Sequence, residues 1–155
     1  NIIVCQSPTR KFHKHTREFA QVMKSLEEKY PNIETLIIER TPYFECLKLK
    51  KTANIIFDHM RGWFGIASLE SLSQGKPVIA GLDAWNIKHI QEFTGSEKLP
   101  WVIARDQREL RAEMERLVND KPLRDEIGKR GRVFMETCWT EQHSLRLLIE
   151  AYNSL

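Results

Sequence analysis

The sequence is poor in the residues that stabilise small proteins covalently or through metals. It has only three cysteines, Cys5, Cys46 and Cys138, in 155 residues. They are odd in number, widely spaced and set in or beside apolar runs, which argues against a disulfide framework and against a zinc site. This use of cysteine favours a reducing cytosol, so we expect a cytoplasmic location.

The sequence also lacks one-sided charge and long apolar runs. Its 24 Lys and Arg residues stand against 21 Asp and Glu, a net charge of +3, which is too small for a dedicated nucleic-acid-binding protein. No apolar run approaches the roughly 18 residues of a membrane-spanning helix, and no signal-peptide pattern is present. A chain of this length buries enough surface to form one ordinary core, so we expect a single domain over residues 1–155. Because the net charge is small, we expect no nucleic-acid partner.

Short apolar runs do occur, and they alternate with helical patterns. The runs are Ile2–Cys5, Thr35–Glu39, Asn54–Phe57, Pro77–Ala80 and Trp101–Ala104. They are mostly β-branched, which is typical of strands buried on both faces. From position 106 onward the chain is charged and helical. The alternation predicts an α/β fold: a Rossmann-like, doubly wound parallel sheet in the order 3-2-1-4-5, flanked by helices, with a helical carboxyl-terminal tail.

Ligands of such sheets bind outside the carboxyl ends of the strands, where the strand order reverses. The loop after the first run carries Arg10, Lys11 and Lys14, together with His13 and His15, and no acidic residue before the next helix. This cluster of cations fits a phosphate-binding loop. The alternative is a solvated helix start, and the pattern alone leaves both open.

A second loop, Gly62–Ile66, follows the third run. Its glycines allow a tight turn, and a helix beginning near Gly65 would direct its first N–H groups at an anion. We expect the two loops to lie side by side at the edge of the sheet. Glu70 falls one turn inside this helix, where it is either a solvated glutamate or an acceptor for sugar hydroxyls.

The stretch "GWFGIASLESLSQGKPVIAG", residues 62–81, resembles a known signature. In the retaining glycosyltransferases called group 1 (family 4-like), it reads roughly E-G-F-G-x-x-x-L-E-A-M-A-x-G-x-P-V-I-A. The positions in register are Phe64, Gly65, Leu69, Glu70, Gly75, Pro77, Val78, Ile79 and Ala80. The likeness extends to "SPTRKFHKHT", "TANIIFD" and "LVNDKPLRDEIGKRGRVF". It implies the carboxyl-terminal, nucleotide-sugar-binding half of a two-domain enzyme of the GT-B fold.

The resemblance implies roles for individual residues. Glu70 matches the family's glutamate that holds the ribose hydroxyls. Gly62 stands where the family has another glutamate that contacts the donor sugar, so Gly62 and Trp63 mark the donor-sugar region. Pro42 and Tyr43 correspond to the region lining the base, although they also fit a helix start and a core aromatic.

The resemblance also implies a diphosphate site and a reaction. The residues expected at the donor diphosphate are Arg10, Lys11, Lys14, Phe64, Gly65 and Ile66. The reaction is retaining transfer of a sugar, of the hexosyltransferase type, from a nucleotide-diphosphate sugar to an acceptor, in polysaccharide or glycoconjugate biosynthesis. No cofactor and no obligatory metal are implied, in agreement with the lack of an Asp-x-Asp motif, and the catalytic residue is unknown.

The implied partners are the donor and an amino-terminal acceptor domain that is missing from this chain. We therefore expect the chain alone to be inactive, and peripheral association of the full enzyme with a membrane is compatible with the resemblance. Two alternatives stay open: a nucleotide-sugar epimerase, and a non-catalytic nucleotide-sugar-binding domain in which the first glutamate is lost. A phosphoryl receiver domain, with Asp58 as phosphoacceptor, is disfavoured because no acidic pair follows the first run.

Overall fold

The structure is a computed structural model that describes residues 1–11 and 14–155. The strands are β1 (Ile2–Gln6), β2 (Ile33–Ile37), β3 (Ile55–Phe57), β4 (Val78–Ala80) and β5 (Val102–Ile103). The helices are α1 (Thr16–Lys29), α2 (Tyr43–Thr52), α3 (Ile66–Ser73), α4 (Ala84–Thr94), α5 (Gln107–Asn119), α6 (Lys121–Thr137) and α7 (Glu141–Asn153). Each predicted strand overlaps an observed one, and the predicted α/β class with its helical tail is confirmed.

All the strand pairings are parallel, but the predicted order 3-2-1-4-5 is wrong. The observed order is β2-β1-β3-β4-β5, with Val4 opposite Ile55 where β1 meets β3. The crossover through α1 places β2 on one side of β1, and the crossover through α2 then reverses direction and places β3 on the other side. Asn54 fixes this pairing, because its N–H donates to Ile3 O and its side chain accepts from Ile3 N. The reversal of strand order therefore lies between β1 and β3.

Two apolar layers cover the two faces of the sheet. On one face, α1 and α5 pack against the strands, and the α1 residues Phe19, Val22, Met23 and Leu26 are buried at the spacing of one helical stripe. On the other face, α3 and α4 contribute to a second cluster that includes Leu72 and the carboxyl-terminal part of α6. Helix α2 differs from the others, since its one buried residue is a lysine.

The end of α3 is fixed by close packing against α6. A Cβ atom added at Gly128 would lie 2.2 Å from the carbonyl oxygen of Gly75, so only glycine allows the two backbones this close. Helix α6 begins where Asp120 accepts a hydrogen bond from the Leu123 N–H at 2.9 Å, with Pro122 in its first turn. This packing holds α3 with its amino-terminal end at the carboxyl edge of the sheet.

Candidate functional site

A cavity of about 800 Å³ opens at the carboxyl edge of the sheet, where the strand order reverses. It lies between the segments that follow β1, β2 and β3. Its lining residues are Ser7, Pro8, Thr9, Lys14, Ile38, Arg40, Thr41, Tyr43, Cys46, Gly65, Ile66, Ala67 and Glu70. This is the position at which open parallel sheets bind their ligands.

Asp58, the first residue after β3, connects the loops on either side of the reversal point. Its side chain is fully buried: Oδ1 accepts from Lys14 Nζ at 2.6 Å, and Oδ2 accepts from the Gly65 N–H and the Ser68 hydroxyl, both at 2.6 Å. Burial raises the pKa of Asp58, but the charges of Lys14 and His59 and the hydrogen bonds from Lys14 and Ser68 outweigh it, so the pKa lies below its usual range. Asp58 is an ionised carboxylate that caps α3 and anchors Lys14.

Gln6, at the end of β1, strengthens the same junction. Its side-chain N–H group donates to the carbonyl oxygens of Lys14, at 2.6 Å, and of Asp58, at 3.1 Å. The prediction that the loops after the first and third strands lie side by side is therefore confirmed. It holds in spite of the different strand order because β1 and β3 are direct neighbours.

His59 is buried beside this junction. Its Nδ1 accepts from the Arg61 N–H at 3.1 Å, and its ring lies edge-on to Trp63 at 5.3 Å. Burial lowers the pKa of His59 to about 4, although the Asp58 carboxylate, 3.9 Å from Nε2, acts in the opposite direction. The imidazole is therefore neutral at pH 7.

A second ion pair lies one turn inside α3. Lys50 reaches from α2, and its Nζ donates to Glu70 Oε2 at 2.6 Å and to Ala67 O at 3.4 Å. The negative charge of Glu70 also raises the pKa of Tyr43, which lines the same cavity. Glu70 is thus held by Lys50 while it lines the cavity.

The two ion pairs are oriented oppositely. The side-chain exposures are 16% for Lys14 and 0% for Asp58, but 1% for Lys50 and 17% for Glu70. The more exposed member is thus a cation in one pair and a carboxylate in the other, and both line the cavity. The first is suited to an anion, and the second to hydroxyl donors.

Among the predicted site residues, five line the cavity: Lys14, Tyr43, Gly65, Ile66 and Glu70. Ile66 and Ala67 begin α3, so their N–H groups belong to the first turn, which lacks intrahelical partners. Pro42, the N-cap residue of α2, is exposed next to the cavity. His13 lies outside the described residues.

The other predicted residues lie elsewhere. Arg10 is exposed, and Lys11 pairs with Glu39 at 2.7 Å outside the cavity. Phe64 packs into the second apolar layer against Trp101, with ring centroids 5.1 Å apart. Trp63 is half exposed, beside His59.

Gly62 is in a conformation that a glutamate would not adopt without strain. Its φ is +91°, and an added Cβ would lie 2.7 Å from Asp83 Oδ2. The backbone here also forms a bridge to Leu82. The departure from the first glutamate of the signature that residues 62–81 resemble is thus built into the local backbone.

Several residues of the site were not found from the sequence. Lys50 stands in the run "LKLKK" on a helix without apolar periodicity, so nothing distinguishes it from solvated lysines. Gln6 and Ser68 gave no signal either, because single polar residues at strand ends and in helices are common. Asp58 was considered from the sequence only as a phosphoacceptor, and nothing marked it as the acceptor for Gly65 and Ser68.

The described residues, 1–11 and 14–155, contain no helix that is long and apolar enough to span a membrane. In the same part of the chain, no three His, Cys, Asp or Glu side chains converge as they would around a metal ion. The absence of an obligatory metal stays a prediction.

Solved structures share this fold. The carboxyl-terminal domain of the group 1 glycosyltransferase LpcC from Francisella tularensis superposes with a TM-score of 0.69 at 17% identity, over 90% of this chain and 87% of that one. A mutant of S. aureus TarM, crystallised with fondaparinux, α-GlcNAc-glycerol and UDP, gives 0.68 at 14% identity, over 94% of this chain. The GtfA/B complex gives 0.67 at 12% identity, over 96% of this chain.

The chain spans about a third of the TarM and GtfA/B chains, 34% and 36% respectively. No protein-family model and no curated protein matches the sequence. The chain has the Rossmann-like fold found in the carboxyl-terminal domain of group 1 glycosyltransferases of the GT-B type.

Proposed function

We propose that this chain binds the nucleotide diphosphate of a sugar donor and is the donor-binding domain of a retaining glycosyltransferase. The observation that carries the proposal is the opposite orientation of the two ion pairs in one cavity. Lys14 faces the diphosphate, and Glu70 faces the ribose. Asp58, which holds Lys14, contacts Gly65 and Ser68, and Lys50 contacts Ala67 and Glu70, so the ion pairs are neighbours along α3, as two parts of one nucleotide would require.

The chemistry of transfer suits this arrangement. A glycosyl donor reacts by losing a nucleotide diphosphate, so a fixed cation and helix-end N–H groups near the leaving group lower the barrier. Lys14 supplies the cation, and the first turn of α3 supplies the N–H groups. The acceptor would be held by a second domain, and closure of the cleft would exclude water and align the reactants.

The transferred sugar, expected to be a hexose, would have to be recognised without a glutamate at Gly62. None of the three structural neighbours is an epimerase by its description. The fold neighbours therefore favour transfer over the epimerase alternative. A non-catalytic donor-binding domain would share the same nucleotide contacts, and a transfer assay with the acceptor domain supplied would separate the two.

The experiment is a calorimetric titration of the 155-residue chain with UDP, GDP, ADP and the matching monophosphates. One diphosphate should bind in the micromolar-to-millimolar range and at least about 10-fold more tightly than its monophosphate, because Lys14 acts on the outer phosphate. A chelator should leave this affinity unchanged. Release of nucleotide from donor sugars should stay at background without an acceptor domain.

A pair of variants localises the diphosphate contact. Lys14→Met should reduce diphosphate affinity to the level of the monophosphate. Lys11→Met is the matched control, since this exposed lysine of the same loop pairs with Glu39 outside the cavity. Equal affinity of the wild type for mono- and diphosphate would contradict the proposal.

A further inference from the structure

Lys50 is a buried charge on a helix whose other residues are exposed or half-buried. It is the one buried residue of α2, with 1% exposure, and it carries an ammonium group into the protein interior. Lysine is among the residues least often fully buried unless it is paired. Its burial here therefore needs a specific reason, and Glu70, 2.6 Å away, is its charged partner.

A purely structural role does not account for Lys50. Helices α2 and α3 are already joined by a neutral hydrogen bond from the Gln74 side chain to Leu47 O at 3.0 Å. An apolar residue at position 50 would fill the same space without desolvating a charge. What Lys50 adds is a fixed position for one oxygen of the Glu70 carboxylate.

The hydrogen-bonding capacity of Glu70 shows what this fixation provides. An ionised carboxylate has about four acceptor sites. Lys50 takes one of them through Oε2. The two acceptor sites of the other oxygen, Oε1, remain for the cavity that Glu70 lines, which matches the two hydroxyl donors of a ribose.

We propose that Lys50 is a positioning residue that orients Glu70 towards the paired 2′ and 3′ hydroxyls and so makes the site select ribonucleotides over 2′-deoxyribonucleotides. The inference rests on the proposed function. A loosely held glutamate could turn to follow a single remaining hydroxyl, whereas a glutamate held by Lys50 loses one hydrogen bond outright when the 2′ hydroxyl is absent. Lys50 itself contacts no ligand in this arrangement.

The test measures, for UDP, GDP and ADP, the ratio of the affinity for the ribonucleotide to the affinity for its 2′-deoxy counterpart. The wild type should prefer the ribonucleotide by about 10-fold, which is what one charge-assisted hydrogen bond provides. Lys50→Met should reduce the ratio to about 2 or less. Lys51→Met is the matched control, because this neighbouring lysine on the same helix is exposed, and it should keep the wild-type ratio.

A second comparison separates positioning from folding. Lys50→Met leaves Glu70 without its charged partner, and Lys50→Met/Glu70→Gln removes both charges, so the double variant should fold even if the single one does not. If Lys50 acts through Glu70, the double variant should show the same ratio as Glu70→Gln alone. A further drop in the double variant would overturn the inference.

The outcomes distinguish this inference from the proposed function. A wild type that binds a diphosphate, with a Lys50→Met variant that keeps the full ribose preference, overturns the inference alone. A wild type that binds the ribonucleotide and the 2′-deoxyribonucleotide equally tightly also overturns the inference alone. A wild type that binds no diphosphate overturns the proposed function, and this inference with it.

Discussion

The two ion pairs of the cavity, Lys14–Asp58 and Lys50–Glu70, present opposite charges to it. Near the start of α3, the carboxylate of Asp58 is buried and the ammonium of Lys14 reaches the cavity; further along the helix, Lys50 is buried and Glu70 reaches the cavity. In each pair the buried member fixes the exposed member. The comparison shows that an ion pair can define the sign of charge presented to a ligand as well as join two segments.

The two ion pairs differ in how many hydrogen bonds the buried charge makes. Asp58 accepts three hydrogen bonds, two of them from Gly65 and Ser68, which are independent of Lys14. Lys50 has Glu70 and only a long contact of 3.4 Å to a carbonyl oxygen. Removal of the exposed partner should therefore cost less stability for Lys14 than for Glu70.

The largest effect is expected for Glu70→Ala. This change leaves the Lys50 ammonium buried and without a charged partner, so unfolding in urea should show a loss of about 3–5 kcal/mol. It should also weaken nucleotide binding. Lys14→Ala is the comparison, and it should cost less because Asp58 keeps its hydrogen bonds from α3. A loss for Lys14→Ala that equals or exceeds that for Glu70→Ala would contradict the comparison.

Acid should destabilise the protein mainly around Asp58, because the neighbouring His59 is buried. The pKa of His59 is about 4 in the folded protein against 6.5 for the free side chain, so the unfolded chain binds more protons between these values. Stability should fall as the pH drops from about 6.5 towards 4, by up to about 3 kcal/mol from this group. His15, whose pKa is also lowered by burial, acts in the same direction.

The variant His59→Gln isolates this contribution. Urea unfolding at several pH values should give a flatter dependence between pH 6.5 and 4 than in the wild type. His89→Gln, at an exposed position on α4, should leave the dependence unchanged. An equally steep loss in His59→Gln would show that this histidine does not carry the acid sensitivity.

The smallest effect is expected for Asp58→Asn. Loss of the negative charge frees Lys14 from its partner, so affinity for inorganic pyrophosphate should rise by about threefold, the size of a partly exposed charge interaction. Asp125→Asn, in an exposed pair with Lys121, is the control and should have no effect on binding. Unchanged pyrophosphate binding in folded Asp58→Asn would remove Lys14 from the diphosphate site, whereas weaker binding would show that Asp58 acts mainly as the anchor of Lys14.

The sequence was sufficient to predict the layers of the fold but not the order of the strands. Apolar runs and helical stripes determine which segments are strands and helices, as the buried stripe of α1 illustrates. The direction of the second crossover depends on pairing between β1 and β3, and its visible marker is a single residue, Asn54. A single polar residue next to a strand is too common to be interpreted as a pairing signal.

The prediction of the site was uneven for a related reason. Gly65 and Glu70 stand out because glycine turns and a signature mark them, and both line the cavity. Phe64 is half-buried against Trp101. The sequence did not show this, because an aromatic residue beside a glycine turn looks the same whether it faces a ligand or another ring. Lys50 could not be found at all, because its burial depends on how α2 lies against α3 and not on its neighbours in sequence.

The pairing of β1 with β3 also has a consequence for folding kinetics. It joins residues that are farther apart along the chain than those of any other strand pairing in the described sheet. Closing such a distant contact is slow, because the entropy of the intervening chain is lost before the contact is made. Since Lys14, Asp58 and Gly65 meet beside this pairing, the recovery of ligand binding during refolding would report when β1 and β3 pair.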